Sequence, residues 1–210
     1  TEVGIQLIVG GEFRLLCGLK LVLLAMDHEG YTAICQLITR ARRAADKGQY
    51  RLQREDFPAR LDGVIALWVP PALPPAGELS PVLIADALWL RGLCPQACWI
   101  AVELHQSPED GQRLAALRAL ALASGLPLVA CGDVHMHERG RRALQDVLTA
   151  IRHHTTVQEA GYRLYANGER HLRSLAALRR LYPAELLQES IHIAERCRFS
   201  LNQLRYQYPH

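Results

Sequence analysis

Apolar residues fall along this chain in two rhythms: short unbroken runs, and longer stretches in which they recur every three or four positions. The runs read as buried strands and the stretches as helices with one apolar face. The first run, Ile5–Val9, is closed by Gly10-Gly11, and a second covers Leu19–Ala25. Asp27 then stands where a helix N-cap is expected, ahead of Tyr31, Ile34, Cys35, Ile38 and Ala41 at helical spacing. Arg40, Arg42 and Arg43 load the end of that helix, as its dipole favours. Ala44–Arg60 is polar and reads as loop, and Val64–Val69 as a third strand. Pro70, Pro71, Pro74, Pro75 and Gly77 impose an extended loop.

Ser80-Pro81 has the form of a cap and first helical residue, opening a helix to about Arg91. Strand Cys98–Leu104, a helix from Ser107-Pro108 to Ser124 with Gly125 after it, and strand Pro127–Cys131 follow. Arg139–Arg152 reads as an amphipathic helix and Tyr162–Tyr165 as a short strand. Ser174 caps a helix to Leu181, and Pro183 opens the last one, to about Arg196. Strands alternating with helices predict an α/β fold with mainly parallel strands. No repeat or shift of composition marks a second domain, so residues 1–210 read as a single domain.

Composition agrees with a packed core: of 210 residues, 50% are hydrophobic and 21% charged, which excludes a disordered chain. The net charge of +3 is too small to announce nucleic-acid binding by itself. All basic residues except Lys20 and Lys47 are Arg. No run is long enough to span a bilayer, and Thr1–Gly4 carries no basic leader before an apolar stretch. Six irregularly spaced cysteines then read as reduced thiols of a cytoplasmic protein, with Cys94 and Cys98 an incidental pair. A chain that begins at Thr1 and is strand-like by Ile5 is expected to be a fragment.

Reactive groups in parallel α/β folds gather at the carboxyl ends of strands. Glu12 follows the first predicted strand, and Asp133 and His135 follow the fifth. An Asp-x-His at a strand end offers a carboxylate oxygen and an imidazole nitrogen to one metal, and a nearby Glu could complete the set. The plainer reading is a capping Asp and a loop His. His137 lies two residues beyond His135, on the same side of an extended chain, and His105 also stands at a strand end. Arg139, Arg141 and Arg142 are candidate phosphate contacts; their acidic neighbours Glu138 and Asp146 also fit solvated helix ends. His153-His154 closes a helix and favours its dipole.

Several ordered segments together carry a resemblance: Leu7–Phe13, Leu21–Ala25 with Gly30-Tyr31, Asp62–Leu67, Gly132–His135, Glu185–Leu187 and Ile193–Cys197. The chain resembles, over essentially its whole length, the polymerase-and-histidinol-phosphatase (PHP) domain of bacterial C-family DNA polymerases. Asp133–His137, Arg141–Asp146 and Leu204–Pro209 look most like the error-prone, damage-inducible branch. The resemblance implies a distorted (β/α) barrel, N-terminally truncated here, with a metal cleft at the strand carboxyl ends. Glu12 matches the family's glutamate ligand, and Asp133 and His135 match its late Asp-x-His pair.

The departures are equally specific. The family's opening His-x-His would precede Thr1. Lys20 stands where metal-binding relatives carry a histidine, and a charged ammonium donates hydrogen bonds but cannot ligate a metal. Lys20 could instead supply a fixed positive charge. Trp68-Val69-Pro70 replaces a segment that can supply a cysteine. The expectation is a degenerate, structural PHP domain whose cleft holds Mn²⁺ or Zn²⁺ weakly or not at all. Polymerase chemistry needs paired acidic residues for two Mg²⁺ ions, and no Asp-x-Asp occurs, so those residues are expected downstream of His210. The resemblance makes DNA, a sliding clamp and accessory mutagenesis proteins the expected partners of the full-length protein, with no membrane. Two other readings stay open: a stand-alone metal-dependent PHP-type phosphoesterase, and an interaction module with no polymerase attached.

Overall fold

The computed structural model describes residues 4–71 and 79–204. Pro74, Pro75 and Gly77 of the predicted loop, and Arg205–Pro209 of the C-terminal signature, lie outside the described residues.

Five strands form one sheet in sequence order: β1 (Gly10–Arg14), β2 (Lys20–Ala25), β3 (Val64–Val69), β4 (Cys98–Glu103) and β5 (Leu128–Cys131). β1, β2 and β3 are antiparallel neighbours, whereas β3, β4 and β5 run parallel. The sheet is therefore mixed, a correction to the expectation of mainly parallel strands. Only Leu15–Leu19 separates β1 from β2, and Leu15 N donates to Leu19 O at 2.9 Å to close a tight turn. A parallel pair would need a crossover of a dozen residues or more. The α/β class holds. The closed barrel is not what the described residues form: β1 and β5 are the outer strands of an open sheet, kept apart by the three between them.

The first strand also begins later than predicted. Residues 5–9 are not a strand; Ile5 and Leu7 face solvent, and the Gln6 side chain bonds to the carbonyl of Cys197. Gly10 opens β1 because a Cβ there would collide with the Leu23 carbonyl of β2. Tyr162–Tyr165, predicted as a strand, forms none; its first two residues belong to a 3-10 turn at Gly161–Arg163.

The helices follow the caps. α1 (His28–Arg43) starts where Asp27 accepts from Gly30 N at 2.9 Å, and it buries Gly30, Ile34, Leu37 and Ala41. α2 (Pro81–Leu93) starts at Ser80, whose side chain accepts from Val82 N. α3 (Asp110–Ser124) ends at Gly125, left-handed at φ 72°. α4 (Arg142–Arg152) follows a 3-10 turn over Arg139–Arg141. Ser174 caps α5 (Leu175–Leu181), and α6 (Ala184–Arg196) follows Pro183.

The core lies about β3 and β4. All six residues of β3 are buried, as are five of the six in β4, so both faces of these strands are covered. α1 packs on β2 and β3, α3 on β4 and β5, and α6 on β5. Trp68, Ile65, Ile100, Leu117 and Leu120 are among the large groups sealed there. All six cysteines are free. Burial pushes the Cys94 thiol up to about 12 and raises that of Cys98, which removes the thiolate that a metal or nucleophilic role would need. No helix of the described residues is long and apolar enough to cross a membrane.

Candidate functional site

The mixed topology decides what meets at one edge of the sheet. The parallel strands β3, β4 and β5 end there in Val69, Glu103 and Cys131. β2 runs the opposite way, so its first residue, Lys20, pairs with Val69 at that same edge. Glu12, inside β1 and opposite Val22, sits one strand further out. A lysine from a strand start and carboxylates from two other strands thus converge.

Lys20 is the centre of the cluster. Its Nζ lies 3.1 Å from Glu12 Oε2, 3.8 Å from Asp133 Oδ1 and 3.9 Å from Glu103 Oε1. The Lys20 and Glu103 side chains are only 12% and 11% exposed, so these charges interact through little water. Burial, with the Asp133 charge second, raises the carboxyl of Glu103 above its usual range; Lys20, Arg170 and Arg113 act against that rise. Arg14 Nε donates to Glu12 Oε1 at 3.3 Å on the outer side.

Asp133 has a second cation. Arg170 donates to its Oδ2, and the Arg170 guanidinium also stacks 4.4 Å above the Tyr165 ring. His135 Nε2 lies 3.3 Å from Asp133 Oδ1 and shares a 2.8 Å hydrogen bond with Tyr165 Oη. Asp133 adopts φ 41°, a conformation Asp tolerates better than most residues. The loop is held by its neighbour segment: His135 N donates to Arg170 O at 2.8 Å, and Leu172 N to Met136 O at 3.1 Å.

His105 lines the wall of this cleft. Its Nε2 donates to Gly132 O at 3.2 Å, and its carbonyl accepts from Asn167 Nδ2 at 2.7 Å. Burial, then Arg170, lowers its pKa, so the ring is neutral at physiological pH and serves to hold the Gly132–His135 loop. Beneath it lies Glu169, buried, which accepts from Gln106 Nε2 at 2.9 Å and pairs with Arg139 at 2.9 Å and Arg173 at 3.5 Å. Tyr182 Oη accepts from Leu104 N at 3.1 Å and donates to Cys131 O at 2.7 Å, which fixes the ends of β4 and β5 to each other.

Of the residues singled out in the sequence, Glu12, Lys20, Asp133 and His135 come together, with His105 in the wall. His137 does not join them: it is exposed and faces Glu138 at 3.7 Å. The three arginines each have a partner within the chain. Arg139 pairs with Glu169, Arg141 with Glu138 at 3.5 Å, and Arg142 with Asp146 at 3.5 Å while also donating to Tyr165 O at 3.0 Å. Sequence reasoning missed Glu103, Tyr165, Glu169 and Arg170. Only Glu103 carried a signal, its place at a strand end.

This arrangement does not fit a Mn²⁺ or Zn²⁺ ion. Lys20 and Arg170 already neutralise the carboxylates that would bind one. Among the described residues no group of three His, Cys, Asp or Glu side chains is placed to hold a metal. Chemically, the cluster can fix five chain segments to one another through charge.

No family model matches the chain. The chain is 58% identical over 208 residues to a protein of Pseudomonas paraeruginosa named error-prone DNA polymerase, covering 99% of this chain and 19% of that one. A protein of the same name in Pseudomonas fluorescens is 56% identical over 208 residues, covering 99% and 19%. One in Methylococcus capsulatus is 54% identical over 207 residues, covering 98% and 19%. The chain therefore spans about a fifth of the length of the curated relatives it matches.

Proposed function

We propose that this chain is the N-terminal PHP region of an error-prone, C-family DNA polymerase, a DNA-directed nucleotidyltransferase that copies damaged templates in translesion repair and replication. The observation that carries the reading is identity of 54–58% across nearly the whole chain to one segment of proteins bearing that name. Within the parent protein the region is a scaffold without polymerase activity of its own. The two outer strands β1 and β5 support a PHP-type barrel completed by strands upstream of Thr1.

In this reading Lys20 takes over the electrostatic task of a metal. It is a resident cation among Glu12, Glu103 and Asp133, and Arg170 completes the neutralisation. Glu12, Asp133 and His135 are then vestigial ligands, and Lys20, His105 and the Arg139–Arg142 segment shape the former cleft. The Mg²⁺ of nucleotidyl transfer belongs to the downstream polymerase core. The parent protein works in the cytoplasm with DNA, a sliding clamp and accessory mutagenesis proteins as partners.

The test is the size of the native polypeptide on an immunoblot of source cells, with an antibody to this segment, before and after DNA damage. A band about five times the size of this chain that intensifies on damage is expected. A band near 23.5 kDa would remove the polymerase reading.

A further inference from the structure

α4 differs from every other long helix in this fold. Leu144, Val147, Leu148 and Ile151 recur at helical spacing and form one apolar stripe, yet each leaves 43–64% of its surface exposed. Ala150 is the only buried residue of the helix. Among the described residues α4 packs extensively on no strand and no other α-helix; it rests on the turn before it and on a polar tie from Arg142 to the Tyr165 carbonyl. An eleven-residue helix is marginal by itself, because helices shorter than ~12–15 residues rarely hold in water without a packed face. Its amphipathic sequence therefore suits a partner that the described residues do not supply.

We infer that the α4 stripe is the seat of a segment of the same polypeptide lying outside residues 1–210. The inference rests on the reading of this chain as part of a longer polymerase. Two observations select that occupant. Relatives matched along nearly all of this chain are about five times as long, so in them some four-fifths of the polypeptide lies beyond the matched segment. The stripe is also small: four such side chains present on the order of 350 Å², against roughly 800 Å² per partner in a stable interface between separate molecules. A tethered segment needs far less area, because the chain itself holds it at high effective concentration.

The test uses the full-length polypeptide with the photoreactive residue p-benzoylphenylalanine at Leu148, at Ile151 in a second variant, and at the exposed Leu122 of α3 as control. After irradiation, the expected product migrates as a single chain, and its adduct peptides map outside residues 1–210 for both α4 probes and not for Leu122. An adduct between two copies, an adduct to a separate protein, an adduct within residues 1–210, or none at all would each overturn the inference. If the native polypeptide ends near His210, the polymerase reading falls with it; if it is long and gives no such adduct, only this inference falls.

Discussion

The Lys20 cluster and the α4 stripe are opposite solutions to exposure. At the sheet edge, the charged groups of Lys20, Glu103, Asp133 and Arg170 are largely taken out of water, and each is met by a charge from another segment of the chain. On α4, groups that avoid water are left in it, and among the described residues no strand or other α-helix packs extensively against them. In the reading proposed above, the cluster serves to hold strands β1, β2, β4 and the β5 loop in place, whereas α4 offers its apolar stripe to a segment beyond these residues.

The largest effect expected on this contrast comes from Lys20→Met in the full-length protein. It leaves Glu103 buried without its nearest cation, and breaking a buried pair costs about 3–5 kcal/mol. Hydrogen exchange of the β2 amides reads the loss; a change under about 1 kcal/mol would show that the cluster does not hold the edge. Tyr182→Phe comes next. It leaves Leu104 N–H without its acceptor and Cys131 O without its donor, at roughly 1–3 kcal/mol in the same measurement on β4 and β5.

A smaller effect depends on pH. Glu103 titrates higher in the folded chain than in the unfolded one, so the folded chain binds that proton more tightly. Its contribution favours the fold below the unfolded pKa and is lost as pH rises through the raised folded value. Glu103→Gln is therefore expected to gain stability relative to the parent as pH increases from about 4 to 7. A difference that stays flat over that range would contradict the assignment. The smallest effect separates two surface leucines. Leu122→Gln, on a face open to water, is expected to stay within about 0.5 kcal/mol, whereas Leu148→Gln in the full-length protein costs about 1 kcal/mol or more. Equal effects would erase the distinction between α4 and an ordinary exposed face.

Much of this was legible in the sequence where the signal is local. The buried run Val64–Val69, the caps at Asp27, Ser80 and Ser174, and Gly125 after α3 depend on neighbours in the chain, and each lies where the pattern places it. The N-terminal strand was misplaced because its position is set across the sheet. Ile5–Val9 is the more apolar run, but the register of β1 is fixed by the close approach of Gly10 to β2. The antiparallel hairpin had a signal that the α/β pattern overrode, the short gap from Leu15 to Leu19. At the site, the strand-end rule finds Asp133 and His135; it reaches Glu12 only through a strand placed too early, since Glu12 lies inside β1, and Lys20 enters through the family resemblance. The rule applies equally to Glu103, which was passed over for its neighbour His105. Tyr165, Glu169 and Arg170 come from an irregular segment whose residues have no periodicity and whose partners His135, Gln106 and Asp133 lie 30 or more positions away.

The most direct measurement is primer extension by the full-length polypeptide on a template carrying a lesion, comparing the parent protein with Glu12→Gln. Template-directed synthesis past the lesion, retained in the variant, is the expected result for a polymerase whose PHP region is a scaffold. No synthesis by the parent protein, or phosphoesterase activity abolished by Glu12→Gln, would contradict it.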